Sequence, residues 1–203
     1  LYESNSTYFN PTPAFNNTIS LGLKLHWALD DNTSMTVDSS GNENNVNLTN
    51  LSIKVDPISV WGTKNRGYAL RVNDELRLNS ILDTNYTVSC WLNSLSDSSN
   101  CRIFPNSGSA INFAASVLKD SINTTVFEAP LEKWFHLACT RNGDTDTRKI
   151  YINGEEKIDD KNEDTHLEFT AFEGFLLDDV KVYNRVLNET ELKQLAGKLF
   201  LDL

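Results

Sequence analysis

From Leu23 onward the apolar residues of this chain return at every second position rather than every third or fourth, which builds strands with one buried face and excludes a helical bundle. Leu23, Leu25, Trp27 and Leu29 alternate with Lys24, His26 and Ala28. Further strands are expected at Val46–Val55, Gly67–Val72, Glu75–Leu78, Tyr86–Leu92, Arg102–Phe104, Ala110–Leu118, Thr124–Glu128, Trp134–Thr140, Arg148–Ile152, Glu155–Ile158, His166–Phe169 and Phe175–Tyr183. Short strands separated by turn residues predict a sandwich. Asn153-Gly154 between two β-rich runs is a two-residue hairpin signal, because a type I′ turn needs positive φ at both central positions. One segment reads as helix: Asn188 caps it, Glu191 follows three residues on, Leu192 and Leu195 make an apolar stripe, and Gly197 stops it.

A chain of 203 residues, 39% hydrophobic with ten Phe, four Trp and six Tyr, fills one β-sandwich interior. Residues 1–20, rich in Asn, Ser, Thr and Pro, read as an irregular lead-in or linker, and residues 21–203 as the folded domain. No apolar run approaches the roughly 20 residues that span a bilayer. The start, Leu1-Tyr2-Glu3, has no initiator Met, basic region or apolar region, so the numbering is expected to begin after a removed signal or inside a longer protein. The net charge of −10 disfavours nucleic acid and anionic lipid as partners, since both are held by clustered Lys and Arg. It leaves cations, basic protein patches and neutral glycans.

Asn-x-Ser/Thr sequons stand at Asn5, Asn16, Asn32, Asn47, Asn50, Asn85, Asn123 and Asn188, whereas chance pairing of the Asn with the Ser and Thr gives about four. This excess predicts a glycosylated protein that is secreted or on the extracellular side of a membrane. Cys90, Cys101 and Cys139 leave three single-bridge pairings open, as well as none.

Three strings carry a resemblance: Glu132-Lys-Trp134-Phe-His136-Leu-Ala138, Lys149-Ile-Tyr151-Ile-Asn153-Gly154-Glu155, and Gly174-Phe-Leu-Leu-Asp178-Asp179-Val-Lys-Val182-Tyr183-Asn-Arg185. In order and spacing they resemble the "QWHHVA", "LYVNGE" and "G-x-IDDVRIYNRAL" segments of laminin G-like, pentraxin-like (concanavalin A-like) jelly-roll domains. Leu25-His-Trp27-Ala-Leu29-Asp30 with Val37-Asp38-Ser-Ser-Gly41-Asn42-Glu-Asn-Asn45-Val is similar to the family's first strand and loop. Gly67-Tyr-Ala-Leu70 and Tyr86-Thr-Val-Ser-Cys-Trp91-Leu are similar to two more of its strands. Glu43 departs from a family Gly, Cys90 and Cys139 depart from small or aliphatic residues, and the loops between Asp97 and Pro130 match nothing. The resemblance implies an all-β, two-sheet antiparallel jelly-roll sandwich of the concanavalin A-like lectin/glucanase type with one short C-terminal helix.

In that fold the first and last long strands lie side by side, which gathers Asp30, Asp38, Asn42, Asn45, Asp178 and Asp179. Calcium takes six to eight hard oxygens from such Asp/Asn/Gly loops, so a structural Ca2+ is the functional reading. In the alternative, Asp38 and Asp178 accept backbone N–H bonds in turns. Strand parity sets Asp178 beside Leu176, Val180 and Val182, pointing inward. Catalysis is not expected. The acid string Glu-x-Asp-x-x-Glu of laminarinase-like relatives is absent, Glu155-Glu156, Asp159-Asp160 and Glu163-Asp164 read as solvated, and no G-x-S-x-G elbow occurs. His26, His136 and His166 lack zinc spacing, and His136 reads as a packed, hydrogen-bonded strand residue. Trp27, Trp91 and Trp134 read as core. Trp61 is either an exposed indole that stacks on a ligand or an edge residue folded onto the sandwich.

The expected function is a non-catalytic binding or adhesion module whose partner is a glycan or an extracellular protein. The alternatives are a lectin-like carbohydrate-binding module and a structural domain of a larger ectodomain or assembly.

Overall fold

The computed structural model describes residues 17–29, 35–47, 52–55, 69–72, 82–94, 101–104, 111–114, 117–119, 125–161, 170–171 and 175–197. The expected strands Glu75–Leu78 and His166–Phe169 lie outside these residues. So do the chain before residue 17, the tail Leu199–Leu203, Asp30, Trp61, Asn5, Asn16, Asn32, Asn50 and Asn123. Of Asn47 and Cys101 only the backbone is described.

The strands are β1 Leu23–Trp27, β2 Met35–Thr36, β3 Val46–Asn47, β4 Ser52–Val55, β5 Ala69–Val72, β6 Tyr86–Ser94, β7 Cys101–Phe104, β8 Ile111–Ala114, β9 Val117–Lys119, β10 Thr125–Glu128, β11 Trp134–Asn142, β12 Thr147–Ile152, β13 Glu155–Lys161, β14 Thr170–Ala171 and β15 Phe175–Tyr183. The large sheet runs β13-β12-β11-β6-β15-β5-β4, with β1 also paired to β15; a second runs β10-β9-β8-β7-β14, and β2 pairs β3. Val126 and Phe127 of β10 pack onto the core of the large sheet, where the Phe127 ring lies 5.3 Å from that of Phe135. This is the expected antiparallel, all-β two-sheet sandwich.

Two expected strands prove to be two each. Val46–Asn47 pairs with β2, whereas Ser52–Val55 pairs with β5. Within Ala110–Leu118 the chain reverses after Ala114, so that β8 and β9 pair with each other, Ala114 opposite Val117. Continuous β propensity in both segments hid a change of partner that only pairing reveals.

The core between the sheets takes one parity from each strand: Leu25 and Trp27, Val88, Cys90 and Leu92, Phe135, Leu137 and Cys139, Ile150 and Ile152. Each of the aliphatic and Phe side chains among them stabilises the fold by about 1.5–3 kcal/mol through burial. Cys90 and Cys139 are buried thiols on neighbouring strands. Leu137 faces Cys90 and Val88 faces Cys139, so the two thiols are diagonal neighbours. Diagonal Cα atoms lie about 7–8 Å apart, beyond disulfide reach.

In β15 the inward parity expected for Asp178 is corrected. The register with β6 shifts between Asp178 and Lys181, and Asp179 takes φ 47°, forming a bulge. Leu177 therefore joins Val180 and Val182 in the core, and Asp178 turns to the opposite face.

On that opposite face sits the helix α1, Glu189–Leu195. Asn188 caps it with a full capping box, its Oδ1 accepting from Glu191 N while Glu191 reaches back to Asn188 N. Arg185 clamps Glu191 with bonds of 2.9 and 2.7 Å. Leu187 and Leu192 cover Ala138, Tyr151 and Tyr183, and Gly197 ends the segment at φ 71°. The β12–β13 hairpin has Asn153 at φ 51° and Gly154 at φ 74°, the predicted turn geometry. A Cβ on Gly154 would sit 3.0 Å from the helix backbone at Lys193. Gly154→Ala should therefore cost more than about 2 kcal/mol in chemical denaturation, from positive-φ strain together with displacement of α1.

Candidate functional site

The second face of the large sheet is polar where α1 does not cover it. All nine residues of β6 are buried, and Ser89, Trp91 and Asn93 alternate with the core residues Val88, Cys90 and Leu92. Register places Trp134 opposite Asn93 and His136 opposite Trp91 on β11, while on β15 Leu176 faces Asn93 and Asp178 faces Trp91. Trp91 and Trp134 thus belong to this face, and of the motif tryptophans expected in the core only Trp27 joins it.

His136 is the centre of the face. It is 1% exposed, its Nε2 is 2.8 Å from Ser89 Oγ, and its ring lies 5.4 Å from Trp91 in an edge arrangement. Its backbone N–H donates to Asn153 Oδ1 of the hairpin turn. Burial lowers its pKa to about 3, the nearby charge of Asp179 works upward, and that of Lys181 downward. The imidazole is neutral near pH 7. A serine beside a histidine suggests a nucleophile and its base, but Ser89 is as buried as His136 and the Nδ1 of His136 donates to no carboxylate. The orienting third group of a triad is missing.

At the β1 edge, His26 faces Lys181 across the ladder. Its Nε2 lies 2.8 Å from Asp179 Oδ1, and Lys181 Nζ pairs with Asp179 Oδ2. The bulge aims Asp179 at both. Burial alone would raise the Asp179 carboxyl; the His26 hydrogen bond and the charge and hydrogen bond of Lys181 outweigh it and hold the group far below the usual carboxylate range.

Asp38 anchors the loop after β1. Its Oδ1 accepts from His26 N and Ser40 N, both at 2.9 Å, and its Oδ2 accepts from Asn44 N at 3.0 Å. Asn45 Oδ1 accepts from Asp38 N, Asn42 Nδ2 donates to Leu23 O, and Trp27 Nε1 donates to Asn44 O. Burial opposes the charge of Asp38, but the Ser40 side chain and these backbone donors lower its pKa.

Of the six expected calcium ligands, Asp38, Asn45 and Asp179 are drawn together around His26, Asn42 sits nearby on the loop, Asp178 lies on the next face position, and Asp30 is outside the described residues. Among the described residues these acids are engaged by hydrogen-bond donors. Three N–H donors converge on Asp38, an imidazole and an ammonium on Asp179, and Asp178 Oδ1 accepts from Asp179 N. Among the described residues no group of three or more His, Cys, Asp or Glu is placed to hold a metal ion. Sequence reasoning missed His26, Lys181, Ser89 and Asn93; the period-two pattern of β6 was the available signal for the last two.

A family model described as the concanavalin A-like lectin/glucanases superfamily, of laminin G type, matches residues 64–193. The chain belongs to this superfamily. No curated protein sequence matches it. Among solved structures it is similar to domain 4 of the extracellular arabinanase AbnA from Geobacillus stearothermophilus, in complex with arabinotriose. That likeness has 21% identity and TM-score 0.60, and covers 86% of this chain and 98% of that one. The binding domain of Paraclostridial Mosquitocidal Protein 1 is similar at 17% identity and TM-score 0.59, covering 90% and 53%. The binding domain of botulinum neurotoxin DC, in complex with rat synaptotagmin II, is similar at 16% identity and TM-score 0.53, covering 89% and 52%. At these identities the likeness is one of fold, and the chain spans about half of each toxin domain.

The site generates two expectations. The unfolded chain protonates His136 near 6.5 and the folded chain only near 3, so protons favour unfolding and stability falls as pH drops through this window. Denaturant titrations at pH 7 and 4.5 should show the wild type losing about 2–3 kcal/mol through this residue, and His136→Gln should remove that component. The lowered Asp38 pKa gives a stabilisation present above its ordinary 3.8 and lost only in stronger acid. Asp38→Ala should cost about 2–3 kcal/mol by stranding three backbone donors, Asp38→Asn less, and melting temperatures should be equal in calcium and in chelator.

Proposed function

We propose that this chain is an extracellular recognition module that binds a glycan without chemically altering it and without needing calcium. The observation that carries this reading is the polar and aromatic face of the large sheet. Trp134, partly exposed, supplies ring surface at this face beside the buried Trp91, Asn93 and His136, and an accessible aromatic ring is the kind of surface that recognises sugar rings. Among the described residues the nucleophile-and-base pair on that face, Ser89 with His136, lacks the orienting carboxylate of a triad. The arabinotriose complex of the similar arabinanase domain supports a saccharide partner, and the eight sequons support an extracellular setting.

A protein partner is the second reading. Met35 and Val37, 47% and 53% exposed, flank buried Thr36 and so project from one side of the chain at β2. The synaptotagmin II complex of the similar neurotoxin domain supports it.

The test is a broad glycan array probed with the purified domain in calcium and in chelator, with mass spectrometry of bound oligosaccharides after long incubation. Equal binding in both conditions to a defined glycan class, recovered intact, is the expected result. Shortened oligosaccharides would make the chain an enzyme, and silence on the array would transfer the weight to the protein partner.

A further inference from the structure

Of the eight sequons, two have an asparagine whose side chain the structure describes, Asn85 and Asn188, and the surroundings of the two are opposite. Asn85 is clamped between the start of β6 and the β11–β12 turn: its Oδ1 accepts from Gly143 N at 2.7 Å and its Nδ2 donates to Asp144 Oδ2 at 3.3 Å. Thr87, the hydroxyl residue of that sequon, is 0% exposed, and its Oγ1 donates to Arg185 O and accepts from Leu187 N. Asn188, Glu189 and Thr190 of the other sequon are all exposed. The Asn188 side chain uses only its oxygen, Oδ1 accepting from Glu191 N at 3.0 Å, and among the described residues no hydrogen bond engages its Nδ2.

N-linked glycosylation changes one atom of the amide. Nδ2 attacks C1 of a lipid-linked oligosaccharide diphosphate, the N–C1 bond forms, the C1–O bond breaks, the lipid diphosphate departs and one Nδ2 proton is released. The carbonyl oxygen and one N–H survive. At Asn188 the product keeps the helix cap, because Oδ1 still accepts from Glu191 N, and a bulky, solvated group there stands at the surface. At Asn85 a sugar on Nδ2 competes with Asp144 for that nitrogen, at a residue already held through its oxygen. We propose that Asn188 carries an N-linked oligosaccharide in the folded protein and that Asn85 stays unmodified, a proposal that rests on the extracellular reading above. The oligosaccharide leaves the Trp134 end of the large sheet open. Thr87 bonds Leu187 N beside Asn188, whereas Asn93 stands opposite Trp134. At about 3.3 Å per strand residue, Thr87 and Asn93 lie roughly 20 Å apart.

The experiment sends the full chain through the secretory route of a eukaryotic cell line behind a secretion signal, with a bacterial preparation as the control for folding. Glycans are released from the secreted protein by peptide N-glycosidase in heavy-oxygen water, which leaves a labelled Asp at each occupied Asn, and the peptides are mapped by mass spectrometry. Thr190→Ala and Thr190→Ser are treated alike; both keep the Asn188 cap, and only the second keeps the sequon. The expected result is label at Asn188, none at Asn85, one glycan fewer on Thr190→Ala and the wild-type number on Thr190→Ser. If Thr190→Ala is not secreted, the wild-type map decides alone. An unlabelled Asn188 with label at another sequon overturns the site and leaves the extracellular reading standing, and label at Asn85 overturns the choice between the two. A secreted chain with no label anywhere overturns the site and withdraws the support that the sequons give to that reading. A wild type that folds in the bacterial preparation but is retained and degraded on the secretory route overturns the site and the extracellular reading together.

Discussion

Both faces of β6 are buried, and most of this molecule's physics follows from that. A strand in a two-layer sandwich ordinarily shows one face to water, and its alternate residues are then polar without consequence. Here Ser89, Trp91 and Asn93 are as enclosed as Val88, Cys90 and Leu92. Polar groups removed from water must find partners or carry a cost. Ser89 finds His136; Asn93 Oδ1 and Trp134 Nε1 find none among the described residues. The second face is therefore a polar interior over most of β6, with Trp134 reaching partly to solvent.

The bulge at Asp179 is the second determinant. One extra residue in β15 changes which side chains enter the core, so Leu177 and Val180 both pack inward and the intervening acids are turned out. The same irregularity aims the Asp179 carboxylate at His26 and Lys181. His26 also donates its backbone N–H to Asp38. The two acids that a cation would have to bridge are thus linked through one histidine. A loop rich in Asp and Asn is compatible with holding calcium or with holding its own backbone, and here the donors nearest each oxygen are amides and side-chain nitrogens.

Much of the fold was legible in advance because its signals are local. Asn153-Gly154 specifies its turn through the backbone freedom of the two residues, and Asn188 with Glu191 specifies a capping box through spacing alone. The pairing of β1 with β15 came from family resemblance and is present in register, Leu25 opposite Val182. The candidate site was less legible. Asp38 and Asp179 were identified as acids near one another, but their partners His26 and Lys181 were not, since His26 is 153 positions from Asp179. The expected single strands Val46–Val55 and Ala110–Leu118 failed for a related reason: propensity reports that a segment suits a sheet and is silent about which neighbour it joins.

The sequence by itself determined the class of this protein, the turn and cap positions, and the core parity of its regular strands, because each depends on residue type and spacing within a few positions. The tertiary structure alone decided that the second face of the sheet is enclosed, that a bulge reverses the parity at Asp178, and that hydrogen-bond donors already crowd the acids of the first loop. Those outcomes depend on which distant atoms meet, and a one-residue shift in register inverts every face it touches.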